Sequence, residues 1–238
     1  MSDKFVNIKL TRENLDIYLV RTSIFKALNS KLGFLSGKLL DVGCGKMPYR
    51  SHVIQNSKVT EYVGLDIEQA IIYDEKTKPD ITWDGITMPV GNSSFDCALA
   101  TEVLEHCPYP EVVLKEVYRV LKPGGCIFIT VPFCWPLHEV PFDEYRYTPF
   151  SLERILKNSG FENIEIKALG GWHASMAQNL GLWVKRAPMP TRYRKILSIL
   201  IYPFYKKLIR IDVLPQEFLE RTMITGLEIF ATKKIGSV

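Results

Sequence analysis

The sequence predicts an α/β fold: a doubly wound, mostly parallel seven-stranded sheet with helices on both faces and a helical insertion before the last strand. Three observations predict it. Short apolar runs alternate with helical periodicity through the first two thirds of the chain. The first run leads straight into a glycine-bearing turn, Leu39-Leu40-Asp41-Val42-Gly43-Cys44-Gly45. Three of the runs end in an acid, Asp41, Asp66 and Asp84. Right-handed crossovers would bring the carboxyl ends of such strands to one edge, where ligands bind.

In chain order, residues 11–29 read as a helix. Thr11 is placed to cap it, and Leu15, Tyr18, Leu19, Ile24, Phe25 and Leu28 have helical spacing. After the first strand and its turn, residues 48–55 suggest a short helix. Residues 61–66 and 81–84 give the second and third strands, and 95–100 a buried fourth. A helix over 110–121 carries Val113, Val117, Val120 and Leu121 on one face, and Lys122-Pro123-Gly124-Gly125 stops it. The fifth strand is expected over 126–131. Thr148-Pro149 opens the next helix as cap and first-turn proline, and Gly160 closes it. Residues 161–169 and 226–234 supply the sixth and seventh strands. The expected division is a helical cap over 1–37, a core over 38–170, an insertion over 171–224, and a last strand with its tail over 225–238.

A chain of 238 residues can bury one good core, and 47% hydrophobic with 24% charged residues is an ordinary globular balance that excludes wholesale disorder. Five cysteines with no Cys-x-x-Cys pair support neither a zinc site nor a disulfide framework, and point to a reducing, cytoplasmic setting. No secretory leader and no run of 18 apolar residues is present, so no membrane span is expected. The charge is unevenly placed. Nine basic residues and no acid lie between Ile166 and Ile211, leaving a net −5 for the rest of a chain that carries +4. Such asymmetry suggests an anionic partner for that segment.

An acid-x-Gly-x-Gly turn followed some twenty residues later by a strand-end acid suits a nucleoside, because a carboxylate is a strong acceptor for ribose hydroxyls. A nicotinamide dinucleotide would want a third glycine where Met47 and Pro48 stand. Asp41 before the turn would also repel a pyrophosphate. It suits a cation, such as a sulfonium with an amino-acid tail. Cys44 reads as a small residue in a crowded turn.

At this point the chain resembles the class I S-adenosylmethionine-dependent methyltransferases of the broad type-11-like group. The resemblance covers roughly residues 38–170. It is carried by LLDVGCG (39–45), YVGLDI (62–67), WDGITMPVGNSSFDCALATEVLEH (83–106), EVYRVLKPGG (116–125) and IFITVP (127–132). It implies a Rossmann-like sheet, S-adenosylmethionine as cofactor with S-adenosylhomocysteine as product, and no metal. By that likeness Asp41, Gly43, Cys44 and Gly45 form the turn around the methionyl part. Asp66 holds the ribose, Ile67 packs on adenine, and Asp84 with Gly85 meets the adenine amino group. Thr101, Glu102 and His106 line the pocket floor below the sulfonium.

The acceptor is expected over the loop after the fifth strand, which leaves the ligand edge and is dense in proline, aromatic and ionisable residues. Its P-x-H-x-x-P-x-D-x-x-R-Y-T pattern (136–148) is similar to an element of part of the type-11-like group. Trp135, His138, Tyr145 and Arg146 are the candidate substrate residues. His138 with Asp143 is the candidate catalytic pair, a base and its orienter. The alternative is that Asp143, Arg146 and Tyr147 form a structural knot holding the loop to the next helix. A base beside the methyl group favours O-methylation of a small-molecule, glycan or lipid-linked acceptor. N-methylation of a small amine and a non-catalytic, cofactor-binding partner protein are the competing readings. Ile196 to Tyr205 is apolar, interrupted by Pro203 and flanked by Arg192, Arg194, Lys195, Lys206, Lys207 and Arg210. The stretch 185–210 therefore reads as a peripheral contact with the anionic inner face of a membrane. A lid over the site or a homodimer surface reads equally well. Nucleic acid is disfavoured, since the aromatic residues of this segment belong to no recognisable nucleic-acid-binding pattern.

Overall fold

The computed structural model describes residues 5–68 and 78–236. Seven strands form one sheet: β1 (Ser36–Val42), β2 (Lys58–Ile67), β3 (Ile81–Trp83), β4 (Phe95–Thr101), β5 (Leu121–Pro132), β6 (Phe161–Ala168) and β7 (Gly226–Lys233). Their order is β3-β2-β1-β4-β5-β7-β6, and β7 runs antiparallel to both neighbours. The remaining pairs, β1 with β2 and β4, β2 with β3 and β4 with β5, are parallel. This is the Rossmann-like sheet the alternation implies, with the order reversing between β1 and β4.

The central strands are near-continuously apolar because both faces are covered. One face buries Leu40, Val42, Ala98, Ile127 and Ile129 against α3 (Pro110–Val120) and α4 (Pro149–Asn158). The other buries Leu39, Cys97, Leu99 and Phe128 against α1 (Tyr18–Lys31) and α2 (Arg50–Asn56). Helix α4 opens as expected. Thr148 Oγ1 accepts from the Ser151 amide, Ser151 Oγ accepts from the Thr148 amide, and Pro149 sits in the first turn.

Three elements depart from the expected bounds. Helix α1 starts at Tyr18, not at residue 11, because Asn14 closes a turn of its own. Its side chain accepts from the Thr11 amide at 2.9 Å, and its carbonyl accepts from Tyr18 at 2.9 Å. Strand β5 begins at Leu121 rather than Cys126. The Lys122–Gly125 stretch is absorbed as a bulge, visible as a register shift between Phe95 and Cys97 opposite it. Helix α6 (Thr191–Ile211) runs unbroken through Pro203. Pro203 and Ile199 are both exposed, so the carbonyl that loses its N–H partner faces solvent.

The insertion packs on the N-terminal segment. Leu15 and Leu19 share a small core with Ala174 and Ala177 of α5 (Trp172–Arg186) and with Tyr205 and Leu208 of α6. Gln178 Nε2 donates to the Asp16 carbonyl at 2.8 Å, and Arg186 pairs with the Asp16 carboxylate at 3.0 Å. The first and last helical segments thus form one layer beside the sheet. Among the described residues no helix is long and apolar enough to cross a membrane.

Candidate cofactor and acceptor site

The carboxyl ends of β1, β2, β3 and β4 meet at the edge where the strand order reverses. Behind β1 the backbone turns through Gly43 (φ 62°) and Gly45 (φ 46°). A Cβ on Gly43 would lie 2.6 Å from Val103 Cγ2, so glycine lets the turn press against the segment that follows β4. The Gly45 amide donates to Asp66 Oδ2 at 2.9 Å, and the Ile67 amide donates to Asp66 Oδ1 at 2.9 Å. Asp66 is half-buried, and burial raises its carboxyl above the usual range against those two amides. Ile67 beside it is 44% exposed, an apolar plate at the strand end. Gly85 (φ 80°) lies next to it, where an added Cβ would come 3.9 Å from Ile67 Cγ2.

The other two strand-end acids sit differently from expectation. Asp41 is buried beneath the turn and accepts the Tyr62 hydroxyl at 2.6 Å. Burial pushes its carboxyl up to about 7, with Tyr62 opposing. Asp84 is exposed, and its Oδ1 accepts from the Ile86 and Thr87 amides at 2.8 and 2.9 Å. Those amides hold its carboxyl below the usual range, and it serves the turn after β3. Cys44 is buried in the turn, as a small residue there should be, and burial pushes its thiol far up.

The acceptor side is built by two segments latched together: the turn after β4 and the loop from β5 to α4. The Glu105 carbonyl accepts from the Glu144 and Tyr145 amides at 2.8 and 3.1 Å. Tyr147, buried, donates its hydroxyl to the Leu104 carbonyl at 2.8 Å, and Tyr145 donates to the Pro108 carbonyl at 3.1 Å. Arg146 grips Asp143 with two nitrogens at 2.7 and 2.8 Å, and its guanidinium also reaches the carbonyls of Trp135, Pro136 and Tyr145. That pairing holds the Asp143 carboxyl down at about 2. Arg146, Asp143 and Tyr147 therefore form the structural knot. Asp143 also faces His138, accepting from its amide at 3.2 Å and standing 3.2 Å from Nδ1.

The latch brings together side chains that stand more than thirty residues apart in the sequence. The His106 and His138 rings meet edge to face with centroids 4.7 Å apart, and Trp135 lies 6.4 Å beyond His138. His106 Nδ1 is 3.1 Å from the Phe142 carbonyl, and its Nε2 lies 3.9 Å from Glu105 Oε1 and 3.7 Å from Glu139 Oε2. Thr101 is half-buried at the end of β4, opposite Thr130. Glu102 follows with φ 56°, and burial pushes its carboxyl up to about 7. Burial pushes His138 below its usual range, although Asp143 opposes that.

Glu105 was overlooked in the sequence reading. It is fully buried, and burial, with the Glu102 charge adding to it, raises its carboxyl well above the usual range. The available signal was spacing: Glu105 and His106 stand three and four residues after Glu102.

Beside this cluster a groove of about 530 Å³ runs between the loop and α5, lined by Phe133, Trp135, Asn179, Trp183 and Arg186 among others. The Arg186 guanidinium stacks over Trp135 at 4.7 Å.

Residues 40–129 match the methyltransferase domain family. Over that span, about two fifths of its length, the chain is similar to the class I S-adenosylmethionine-dependent methyltransferases. Its match to that family falls on β1 to β5, the half of the sheet that carries the glycine turn and the strand-end acids. A demethylmenaquinone methyltransferase of Staphylococcus carnosus is 27% identical over 197 residues, covering 66% of this chain and 79% of the relative. A sterol 24-C-methyltransferase of Candida albicans is 31% identical over 150 residues, and the chain spans only 40% of its length. Among solved structures, a methyltransferase of Archaeoglobus fulgidus superposes with a TM-score of 0.56 at 18% identity, covering 90% of this chain and 94% of the other. That likeness shows the fold.

Proposed function

We propose that the chain methylates a hydroxyl of an apolar small-molecule acceptor, with S-adenosylmethionine as donor. The observation that carries this reading is the convergence on one sheet edge of the glycine turn with Asp66 and Ile67, and of an acceptor-side cluster of Glu102, Glu105, His106 and His138. The cradle's chemistry suits the cofactor. Asp66 is an ionisable acceptor for ribose hydroxyls, Ile67 offers an exposed apolar plate for the adenine ring, and the Gly43–Gly45 turn leaves room for the methionyl tail. The Asp66 and Glu102 carboxyl groups on this edge suit a sulfonium, and the Arg146 guanidinium near them is committed to Asp143.

When bound, S-adenosylmethionine would supply an electrophilic methyl group for the acceptor oxygen, with sulfur keeping the electron pair of the broken bond. The chain's own residues orient and exclude water. The Arg146–Asp143 knot and the Tyr147 latch fix the loop over the site, and the polar cluster meets the acceptor hydroxyl, whose proton leaves to bulk water. Leu137, Val140 and Phe142 are all exposed on this loop, an apolar rim that fits an apolar acceptor. The relatives named for demethylmenaquinone and for a sterol agree with that class. The test is transfer of labelled methyl from the cofactor into lipid extracts, with the product read by NMR. An O-methyl resonance is expected, and an N- or C-methyl product would overturn the O-methyl assignment.

A second reading concerns α6, which we propose rests on an anionic lipid surface. Tyr193, Ile196, Ile199, Leu200 and Phe204 are each about half exposed, bracketed by exposed Arg192, Lys195, Lys206, Lys207 and Arg210. An exposed apolar stripe edged by cations is the pattern of an interfacial helix. Each cation near such a surface contributes roughly 1 kcal/mol. An enzyme with an apolar acceptor gains by sitting where that acceptor dissolves.

A further inference from the structure

We infer that Glu105, His106 and His138 form a binding site for a divalent first-row metal cation, and that this cation activates the acceptor hydroxyl. One potential ligand atom from each of the three lies within 4.8 Å of the others. Two imidazoles and a carboxylate suit manganese, iron, cobalt, nickel or zinc better than magnesium or calcium.

Proximity alone would not carry this, because clusters of acids and histidines occur without metals. The hydrogen bonds do. Glu105 is fully buried and neither of its carboxylate oxygens has a hydrogen-bond partner. A buried carboxylate without donors is costly, and native structures rarely leave one so. His138 Nδ1 is buried too, with the Asp143 carboxylate 3.2 Å away beside it. A third orphan, Glu102 Oε1, belongs to the acid that precedes Glu105 on the same turn. The guanidinium nearest this group, that of Arg146, is already committed to Asp143 through two hydrogen bonds.

The orientation of His106 points the same way. Its Nδ1 lies 3.1 Å from the Phe142 carbonyl, which can only accept, so Nδ1 carries the proton. This leaves Nε2 as a lone pair aimed at Glu105 Oε1 and Glu139 Oε2, at 3.9 and 3.7 Å. A cation between them would be met by the Nε2 lone pair and by both carboxylates. A backbone carbonyl that fixes the outer nitrogen of a ligating histidine is also the usual outer support of a metal site. With bonds of about 2.1 Å, neighbouring donors in such a shell stand roughly 3 Å apart.

The place is right for the chemistry. The cluster follows the carboxyl end of β4, and Val103 within it touches Gly43 of the cofactor turn. A cation there lowers the pKa of an acceptor hydroxyl bound to it, so that the proton is lost to bulk water before the methyl is transferred. In that arrangement His138 is a ligand rather than a general base, with Asp143 orienting it. The sequence alone predicts no metal, from the absence of Cys-x-x-Cys pairs and from the family resemblance.

This inference deepens the proposed O-methylation and rests on it for the role of the cation, but not for the binding. The test is titration of chelator-stripped protein with Mn²⁺, followed by EPR, and with Co²⁺, followed by its visible absorption, without cofactor or acceptor. One cation per chain is expected. Glu105→Gln and His106→Gln should each weaken binding at least about tenfold while circular dichroism shows both variants folded. Should either unfold, Co²⁺ bands characteristic of imidazole ligation in the wild-type protein carry the same information. Absence of binding by either ion, or binding that both substitutions leave unchanged, overturns the site. Methyl transfer that proceeds undiminished in chelator would overturn the cation's role. Cation binding without methyl transfer would instead count against the O-methylation reading alone.

Discussion

The Gly45 amide donates to Asp66 Oδ2 at 2.9 Å, tying the turn after β1 to the end of β2. One bond thus joins the two strand ends, and under the proposed function the same carboxylate meets the ribose. Asp66→Asn keeps a carbonyl oxygen for Gly45 but removes the charge. A charge-assisted hydrogen bond is stronger than a neutral one by about 1–2 kcal/mol, so cofactor affinity should fall roughly 10-fold, read by calorimetry. Asp66→Ala, which also releases the turn, should fall further.

Asp41 makes stability pH-dependent in a definite direction. Its folded carboxyl titrates at about 7, above its unfolded value near 3.8, so the folded chain binds the extra proton. Stability from this group is present below pH 4 and is lost as pH rises towards and through 7. Asp41→Asn keeps an acceptor for the Tyr62 hydroxyl and removes the titration. The variant should gain on the order of 2–4 kcal/mol over the wild type at pH 8 and nothing at pH 4, measured by denaturant unfolding.

Arg146 and Asp143 form a nearly buried ion pair, the acid 1% and the base 24% exposed at the side chain. Arg146→Ala leaves the Asp143 charge without its main partner and should destabilise by about 3 kcal/mol. Arg146→Lys cannot make both bonds and should recover only part of that. Thermal unfolding in a double-mutant cycle with Asp143→Ala reads the coupling.

Leu200 and Phe204 are 65% and 52% exposed on α6, so Leu200→Glu with Phe204→Glu should shift stability by less than about 1 kcal/mol. Sedimentation with vesicles rich in anionic lipid should show the wild type bound at low salt and released at high salt, and the variant unbound at both. A wild type indifferent to these vesicles removes the lipid reading.

The backbone of the proposed donor half was legible because its signals are local. A strand, an acid and two glycines in seven residues specify a backbone shape, and Asp66 and Ile67 fall where that shape needs them. Asp41 and Asp84 have the expected positions, but their side chains are taken by Tyr62 and by turn amides, partners that residue type alone does not reveal. The sheet was readable from apolar alternation, whereas the start of α1 was hidden by Asn14 and the continuity of α6 by Pro203. The acceptor half was hardest. Glu105 meets His138 only because the β5–α4 loop folds back and donates two amides to the Glu105 carbonyl, a contact across some forty residues. The proline-rich loop marked where to look and not which atoms would face one another.

The central claim is that this sheet edge binds a sulfonium nucleoside. Calorimetric titration of the purified chain with S-adenosylmethionine, and separately with S-adenosylhomocysteine, tests it most directly. One site per chain for each ligand is predicted, weakened in both cases by Asp66→Ala. No heat of binding from either ligand would contradict the account.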